Sequence, residues 1–569
     1  MAVRIAVVAL YLCIVLGIGL AARRHRRDAA APGASGYYLA GRLLGPLAVL
    51  ATMAATNFSG FTVVGFAGAG YRIGLGFYPV MAVGTGLMAV SFAVVGLPAH
   101  RIGRRLGLVT PAELIGARFG RGAAGVTAGA MALFTLPYLA IQPMAAGYAL
   151  EALLGIPYVI GAALVTVIVL IYVLAGGMRS VVWTDVAQGV LMTIVLAVGL
   201  LAVVRATGDS AFATLAERFP ALTARPGGDG SLIVGIWASY MLLWFLADPM
   251  LPQLFQRFYA ARGERSIVVS MALYPIVTAI LFFLPVAIGA LGRLHVPGLA
   301  GKEADRILPM LMESLGGDWL AALACAGLLA GIMSTMDSQL LTMGSVIERD
   351  VFRRGRDGRG AAGRIAIVVM AIGGFLLSIR PPASILSVAT QAFAGLAVLF
   401  PAFFAAIHVR RVSATGVITS IIAGELIVAL SHAGVLSWPG MLTVVPAAMV
   451  ATVVLLVDVL IRRVAPDRRD PGVDEDWFED SSSGLGRTRL IGWSALVVAL
   501  FVLSVDWWRF GAPSTIVAGL PGWVWYFLAL SVLASLSFAR LGLRLLRYRD
   551  GGSAVTSPKT DSTNSSGRR

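Results

Sequence analysis

The most demanding residues of this chain lie in Leu328-Leu-Ala-Gly-Ile-Met-Ser-Thr-Met-Asp-Ser338, where Ser334, Thr335, Asp337 and Ser338 interrupt a segment apolar enough to cross a bilayer. A charged side chain at the bilayer centre costs roughly 2.5–3.5 kcal/mol on insertion scales and normally faces a bundle interior, an ion path or a partner. Ser334, Asp337 and Ser338 stand at i, i+3 and i+4, near one helix face. Asp337 therefore marks either a cation or proton path, or a neutral carboxyl bonded to a neighbouring helix. Both readings require the segment to be held inside a bundle.

Composition supplies that bundle. The chain has 569 residues, 58% hydrophobic and only 13% charged, and a mean hydropathy of +0.85. Such values describe a protein dominated by membrane spans rather than a soluble core. The net charge of +16 must then be read by its position relative to the bilayer, which removes nucleic acid as a partner. Cys13 and Cys325 both fall inside spans, so neither a disulfide framework nor a metal cluster is indicated.

Apolar stretches at 3–21, 45–70, 77–99, 123–150, 157–175, 185–205, 231–256, 266–291, 318–345, 362–380, 384–409, 414–434, 439–461, 490–508 and 516–540 predict about fifteen spans. Arginine clusters at 23–27, 101–105, 257–265, 349–364 and 462–469 fall on one side if the N-terminus is outside. The positive-inside rule then predicts N-out and C-in. The first span has only Arg4 before its apolar run and an arginine cluster after it, so it reads as a retained helix and not as a cleaved signal. Thr110, followed by Pro111 and Glu113, predicts a short capped surface helix.

Two spans are interrupted, five spans apart. Ala54-Ala-Thr-Asn-Phe-Ser-Gly60 places Asn, Ser and Gly in the second span. Trp244-Phe-Leu-Ala-Asp-Pro-Met-Leu-Pro-Gln253 places Asp248, Pro249 and Pro252 in the seventh, and each proline removes a backbone donor. Corresponding breaks in two halves of a membrane chain point to a transporter of inverted repeats that holds its solute at mid-membrane. Gly65, Gly68, Gly70, Gly327 and Gly331 read as small faces for close helix packing, while Asn57 and Gln142 serve equally as interhelical hydrogen-bonding groups.

These residues resemble the sodium/solute symporters, the proline, pantothenate, monocarboxylate and sugar carriers. The resemblance rests on Ala330-Gly-Ile-Met-Ser-Thr-Met-Asp-Ser-Gln-Leu340 with Glu348-Arg-Asp350, and on Gly176-Gly-Met-Arg-Ser-Val-Val-Trp-Thr-Asp-Val-Ala-Gln-Gly189. Tyr38-Leu-Ala-Gly-Arg42, Gln256-Arg-Phe-Tyr-Ala260 and Ala304-Asp-Arg-Ile-Leu-Pro309 support it. It implies Na+ as coupling ion, held by the carbonyls of Ala55, Phe58 and Gly331 and the hydroxyls of Ser334 and Thr335, oxygen ligands suited to a hard cation. It implies that Asp185 lies on the inner exit route, and that Asp185, Asp337 and Ser338 form a second cation site or a proton-linked pair. The solute pocket it implies comprises Asn57, Ser59, Tyr78, Trp244, Asp248 and Gln391. Asn57 stands where proline carriers of the family have an aspartate, which weakens a proline assignment. Arg72, near the outer end, is a candidate to greet a carboxylate.

The expected architecture is an all-α polytopic membrane protein of about fifteen transmembrane helices, with inverted five-helix repeats, two broken helices, N-out and C-in. Its units are 1–44 (first helix and linker), 45–205 (first repeat), 206–230 (outer loop), 231–410 (second repeat), 411–463 (two added helices), 464–489 (cytoplasmic loop), 490–547 (C-terminal pair) and 548–569 (disordered tail). The C-terminal pair, with Trp507, Trp508, Trp523 and Trp525 near the outer interface, reads as an anchoring addition. The expected activity is sodium-coupled symport of a small carboxylate, amino acid or vitamin across a bacterial inner membrane, with no enzymatic chemistry. The solute and the bilayer are its expected partners, and protein partners are not specified. The rivals are a membrane sensor built on a symporter-like domain, a proton-coupled symporter and a passive channel.

Overall fold

Thirteen helices among the described residues are long and apolar enough to cross a membrane, and two bent pairs bring the number to 15. The computed structural model describes residues 1–28, 33–352, 361–380, 383–464, 475–481, 487–512 and 514–553. Pro46–Asn57 and Phe61–Arg72 meet at 57°, and Val234–Met250 and Pro252–Ala260 meet at 49°. At the first break Phe58 leaves the helix at φ −83°, ψ 82°. At the second, Leu251 sits at ψ 117°, the extended conformation that a following proline imposes.

The motif helix Ile307–Val346 is the hub. It packs against Ala2–Asp28, Pro46–Asn57, Arg121–Leu154, Met178–Thr207 and Ala361–Ser378. Glu264–Gly292 is the second organiser and lies against both halves of the first broken span and against Phe77–Leu87. The small-residue faces explain how closely these helices approach. A Cβ on Gly70 would lie 2.3 Å from the Val286 carbonyl oxygen, and one on Gly289 would lie 1.9 Å from that of Ala67.

Ion pairs sit at both ends of the bundle. At one end Arg101 pairs with Glu264 at 2.8 Å and Arg349 with Glu113 at 2.5 Å. At the other end the N-terminal ammonium and Arg4 pair with Asp318, and Arg4 also reaches Glu313. Part of the acidic loop docks at the first end. Its helix Glu475–Ser481 buries Trp477, whose indole donates to the Ala406 carbonyl at 3.1 Å, while Asp480 pairs with Arg105 at 2.9 Å.

The Thr110 segment forms a helix, Pro111–Phe119, with a complete capping box. Its surroundings differ from expectation: Ala112, Leu114 and Ile115 are fully buried, so it is wedged into the bundle and is not a surface helix. The Thr110 hydroxyl accepts from the Glu113 amide at 3.1 Å and donates to Asp350 at 2.7 Å. Thr110→Ala removes both and is expected to cost about 1–2 kcal/mol. The check is the midpoint of thermal unfolding, with Thr110→Ser expected to stay near wild type.

Other boundaries depart from the hydropathy limits for local reasons. The ninth span starts at Ile307, not 318, because Gly317 takes φ 60° and bends the helix without ending it. The sixth starts at Met178, which puts Asp185 two turns inside. The last starts at Gly522, after a small hairpin pairing Ile516–Val517 with Leu520–Pro521. Ala518 and Gly519 form its turn at φ 47° and 79°, the positive-φ pair that suits a two-residue hairpin.

The C-terminal pair is more than an anchor. Gly522–Ser553 lies along Glu264–Gly292, with Ser535 bonded to the Ala272 carbonyl. Arg225 of the 206–230 loop is ion-paired with Asp506, both buried. The last helix runs to Ser553; residues 554–569 of the expected disordered tail lie outside the described residues.

Candidate functional site

The first break releases carbonyls that a continuous helix would consume. The Ser59 amide turns to the Asn57 carbonyl at 3.1 Å, and the Gly60 amide turns to Gln142 Oε1 at 3.0 Å. Hydroxyls take up the freed oxygens. Ser334 donates within reach of the Ala55 carbonyl at 3.0 Å and its own-helix Gly331 carbonyl at 3.1 Å. Thr335 donates to the Thr56 carbonyl at 2.8 Å, and Thr62 to the Asn57 carbonyl at 3.1 Å. The Phe58 carbonyl oxygen lies 3.3 Å from where a Cβ on Gly331 would be. Ala55, Phe58, Gly331 and Ser334 are thus brought together, with Thr335 one residue along the same seam. All are buried, and their oxygens form a neutral donor set of the kind a hard monovalent cation takes.

A charged cluster lies one turn away. Asp185 Oδ2 accepts from Thr52 at 2.5 Å and Thr56 at 3.3 Å, and is ion-paired with Arg257 at 3.3 Å. Arg257 also donates to Ser338 at 2.6 Å and, within its own helix, to the Gln253 carbonyl at 2.9 Å. Asp337 faces elsewhere: its Oδ2 accepts from Tyr172 at 2.9 Å and Thr184 at 3.2 Å. The two carboxylates share no hydrogen-bond donor in these contacts.

The sequence alone does not bring Arg257 to this site. Counting positive charge by position places it in the loop cluster 257–265, whereas its side chain is fully buried. The usable signal was the cost of an isolated intramembrane Asp185, which calls for a cation, together with the place of Gln256-Arg-Phe-Tyr-Ala260 immediately after the second break.

At the second break Asn57 Nδ2 donates to Tyr274 Oη at 3.0 Å and lies 3.4 Å from Asp248 Oδ2. The Ser59 hydroxyl accepts from the Phe61 amide at 3.1 Å. Trp244 packs on Phe61 and Phe393, with ring centroids 5.5 and 5.0 Å apart. Asp248 Oδ1 and Trp244 Nε1, both at the second break, and Tyr78 Oη, away from it, are buried without a hydrogen-bond partner among the described residues. Tyr78 itself packs on Phe283 at 5.2 Å.

Gln391 is not part of this cluster. It is exposed on Ile385–His408, and the helical offset of two residues turns Phe393 inward in its place. Arg72 is also committed: it donates to the Gly301 carbonyl at 3.0 Å and pairs with buried Asp305 at 3.3 Å. Asp305 further accepts the Ile385 amide at 2.9 Å, so these residues tie the second half of the first broken span to two other elements.

Comparison with known proteins supplies the family. The family model described as Sodium:solute symporter family matches residues 37–424. The chain belongs to that family. Similar proteins include the sodium/pantothenate symporter of Escherichia coli K12, 27% identical over 464 residues that cover 79% of this chain and 94% of that one. The sodium/proline symporter of the same strain is 25% identical over 443 residues, covering 74% and 86%. Among solved structures, a Na+-coupled sialic acid symporter in a substrate-bound outward-open state superposes with a TM-score of 0.67 at 19% identity, covering 81% of this chain and 98% of that one. MHP1, a nucleobase-cation-symport-1 family transporter, does so at 0.55 and 15%, covering 78% and 97%. The protein is a multi-pass, sodium-coupled solute symporter and not an enzyme.

Proposed function

We propose that the protein imports a small organic solute, a carboxylate, amino acid or vitamin, into a bacterial cell by alternating access between two inverted repeats. The observation that carries this reading is the convergence of freed carbonyls and the Ser334 hydroxyl at the first break, beside unpartnered polar groups at the second. Sodium is held by Ala55, Phe58, Gly331, Ser334 and Thr335. Solute is held by Asn57, Ser59, Trp244 and Asp248, with Phe393 beneath the aromatic side and Tyr78 at the margin. Asp248, with one oxygen unpartnered, favours a solute that presents an N–H or O–H donor.

With N-out orientation, outside sodium stabilises the outward-open form and couples closure to solute binding. Asp185, Asp337 and Ser338 then lie on the inward path. The driving force is adequate: one charge moving down 100 mV gains about 2.3 kcal/mol, enough at about 1.4 kcal/mol per tenfold to hold a gradient of roughly fifty-fold.

The test begins with thermal stabilisation of purified protein by amino acids, carboxylates, sugars and vitamins in sodium and then in potassium. A compound that stabilises in sodium alone is then offered to proteoliposomes. Accumulation only under an inward sodium gradient is expected. Flux independent of the gradient would favour a channel, and binding without flux a sensor.

A further inference from the structure

A cavity of about 580 Å³ opens where Ala2–Asp28, Pro46–Asn57 and Met178–Thr207 meet, and no residue of either break lines it. A second, of about 310 Å³, continues along the seam between Ala2–Asp28 and Met178–Thr207, and Ile18 borders both. Together they form one apolar groove on the side of the bundle, with Ile14, Leu43 and Val186 exposed along it. From Arg179 to Leu191 the helix Met178–Thr207 advances about 18 Å, close to one leaflet of a ~30 Å hydrocarbon core. The mouth of the groove is positive. Arg179 is the charged residue that lines it, with its guanidinium 6.0 Å from the centre of the Trp183 ring, and no Asp or Glu among the described residues lines either cavity. Gly177, the N-cap of the same helix, has no side chain to cap it, so the first-turn amides add positive potential there. Leu44, on the same wall, is bonded to Ala260 and Arg262, which places the mouth at the end where Arg101 pairs with Glu264. Trp183 suits that position, since tryptophan concentrates at headgroup level.

We propose that this groove binds one anionic phospholipid, with its phosphate at Arg179 and an acyl chain along Val186, Ala187 and Leu191 toward mid-membrane. Charge and shape select the same occupant. Basic pockets between spans take anionic headgroups, a guanidinium matches phosphate oxygens, and an apolar wall of leaflet depth offers nothing to a free ion. Gly45 and Ala48 line the mouth, so the lipid touches the start of Pro46–Asn57, the first half of the first broken span, as well as the two helices of the seam. A molecule that bridges three helices in the folded protein alone stabilises it by mass action. Deeper in the groove, Gln188 donates to Tyr11 Oη at 3.0 Å and Tyr11 reaches Met333 Sδ at 3.7 Å, so the wall is continuous with the motif helix one residue before Ser334.

Lipid titration of the purified full-length protein in detergent tests this, read as the rise in unfolding midpoint. Potassium replaces sodium throughout, so the outcome does not depend on the symport reading. The probes are dioleoyl-phosphatidylglycerol, dioleoyl-phosphatidylcholine with the same tails, and inorganic phosphate. Wild type is expected to respond saturably, at a half-maximal concentration at least about five-fold lower for phosphatidylglycerol than for phosphatidylcholine, as one basic residue near an anionic headgroup gives. Arg179→Gln is expected to make the two lipids equal, and Arg179→Lys to keep most of the preference. Ala187→Phe fills the groove while leaving Arg179 in place, and is expected to weaken the phosphatidylglycerol response. Equal response of wild type to the two lipids overturns the proposal, as does an Arg179→Gln protein that keeps the preference. Stabilisation by inorganic phosphate equal to that by phosphatidylglycerol identifies a free-anion site and also overturns it. If Arg179→Gln cannot be purified, the wild-type comparison and Ala187→Phe decide, and an unchanged response in Ala187→Phe removes the lipid from this groove.

Discussion

Replacing Ser334 with alanine is expected to raise the sodium concentration for half-maximal stabilisation by at least about ten-fold, roughly 1.4 kcal/mol. The hydroxyl lies between the Ala55 and Gly331 carbonyls, at 3.0 and 3.1 Å, in a site where only backbone and hydroxyl oxygens are available. Without an ion its hydrogen satisfies one of these carbonyls. With sodium bound it can turn its lone pairs toward the ion while the carbonyls ligate directly. Alanine removes a ligand from a small neutral set and gives nothing in return. It also leaves a buried carbonyl without its donor, which costs about 1 kcal/mol in the ion-free protein. The two effects separate experimentally: the stability loss appears in potassium, whereas the affinity loss appears only as sodium is titrated. Ser334→Thr keeps the oxygen and should recover most of the sodium response. An unchanged sodium titration in Ser334→Ala would remove this seam as the ion site.

The breaks were legible because their residues cannot continue a lipid-facing helix. Asn57, Ser59 and Gly60 lack apolar cover, and Pro252 forces Leu251 to extend. The close packing expected of Gly68 and Gly70 was legible for the same reason, as the absence of a side chain is itself a steric statement. Three-dimensional partnership was not legible. Charge counting treats Arg257, fully buried against Asp185, like its exposed neighbour Arg262; only the uncompensated Asp185 and the position of Arg257 just after the second break set it apart. Gln391 and Phe393 differ only in helix phase, and phase relative to a pocket depends on which neighbours surround the helix. Hydropathy windows also missed Gly317, since one glycine with φ 60° bends an otherwise apolar and helical run without changing its composition. The hairpin before Gly522 was hidden in the same way, because Ile516 and Val517 are as apolar as a helix start.

Gly289→Ala brings its new methyl closer to backbone than alanine at any other helical glycine among the described residues, and a large structural effect is expected. The new Cβ would lie 1.9 Å from the Ala67 carbonyl oxygen, 2.7 Å from its carbon and 2.9 Å from its Cα. All three are backbone atoms, so no side-chain rotation relieves the clash, and the helices must separate. Overpacking typically costs about 1–3 kcal/mol, sometimes more, and this contact belongs at the upper end. The consequence also reaches the site. Ala67 is on Phe66–Arg72, in the second half of the first broken span, and the next residue, Gly68, is fitted against Asp305. Shifting that segment from Glu264–Gly292 would pull Arg72 from Asp305 and displace the segment whose other end is the Phe58–Gly60 break. The expected result is a lowered unfolding midpoint together with weakened sodium stabilisation. Gly129→Ala is the control. It also lies within a long helix, but nothing approaches its Cβ position within 4 Å, and alanine is favoured over glycine by about 0.8–1 kcal/mol in a helix interior. That variant should match or exceed wild-type stability. Equal behaviour of the two would mean that the Ala67–Gly289 contact does not set the position of Phe66–Arg72.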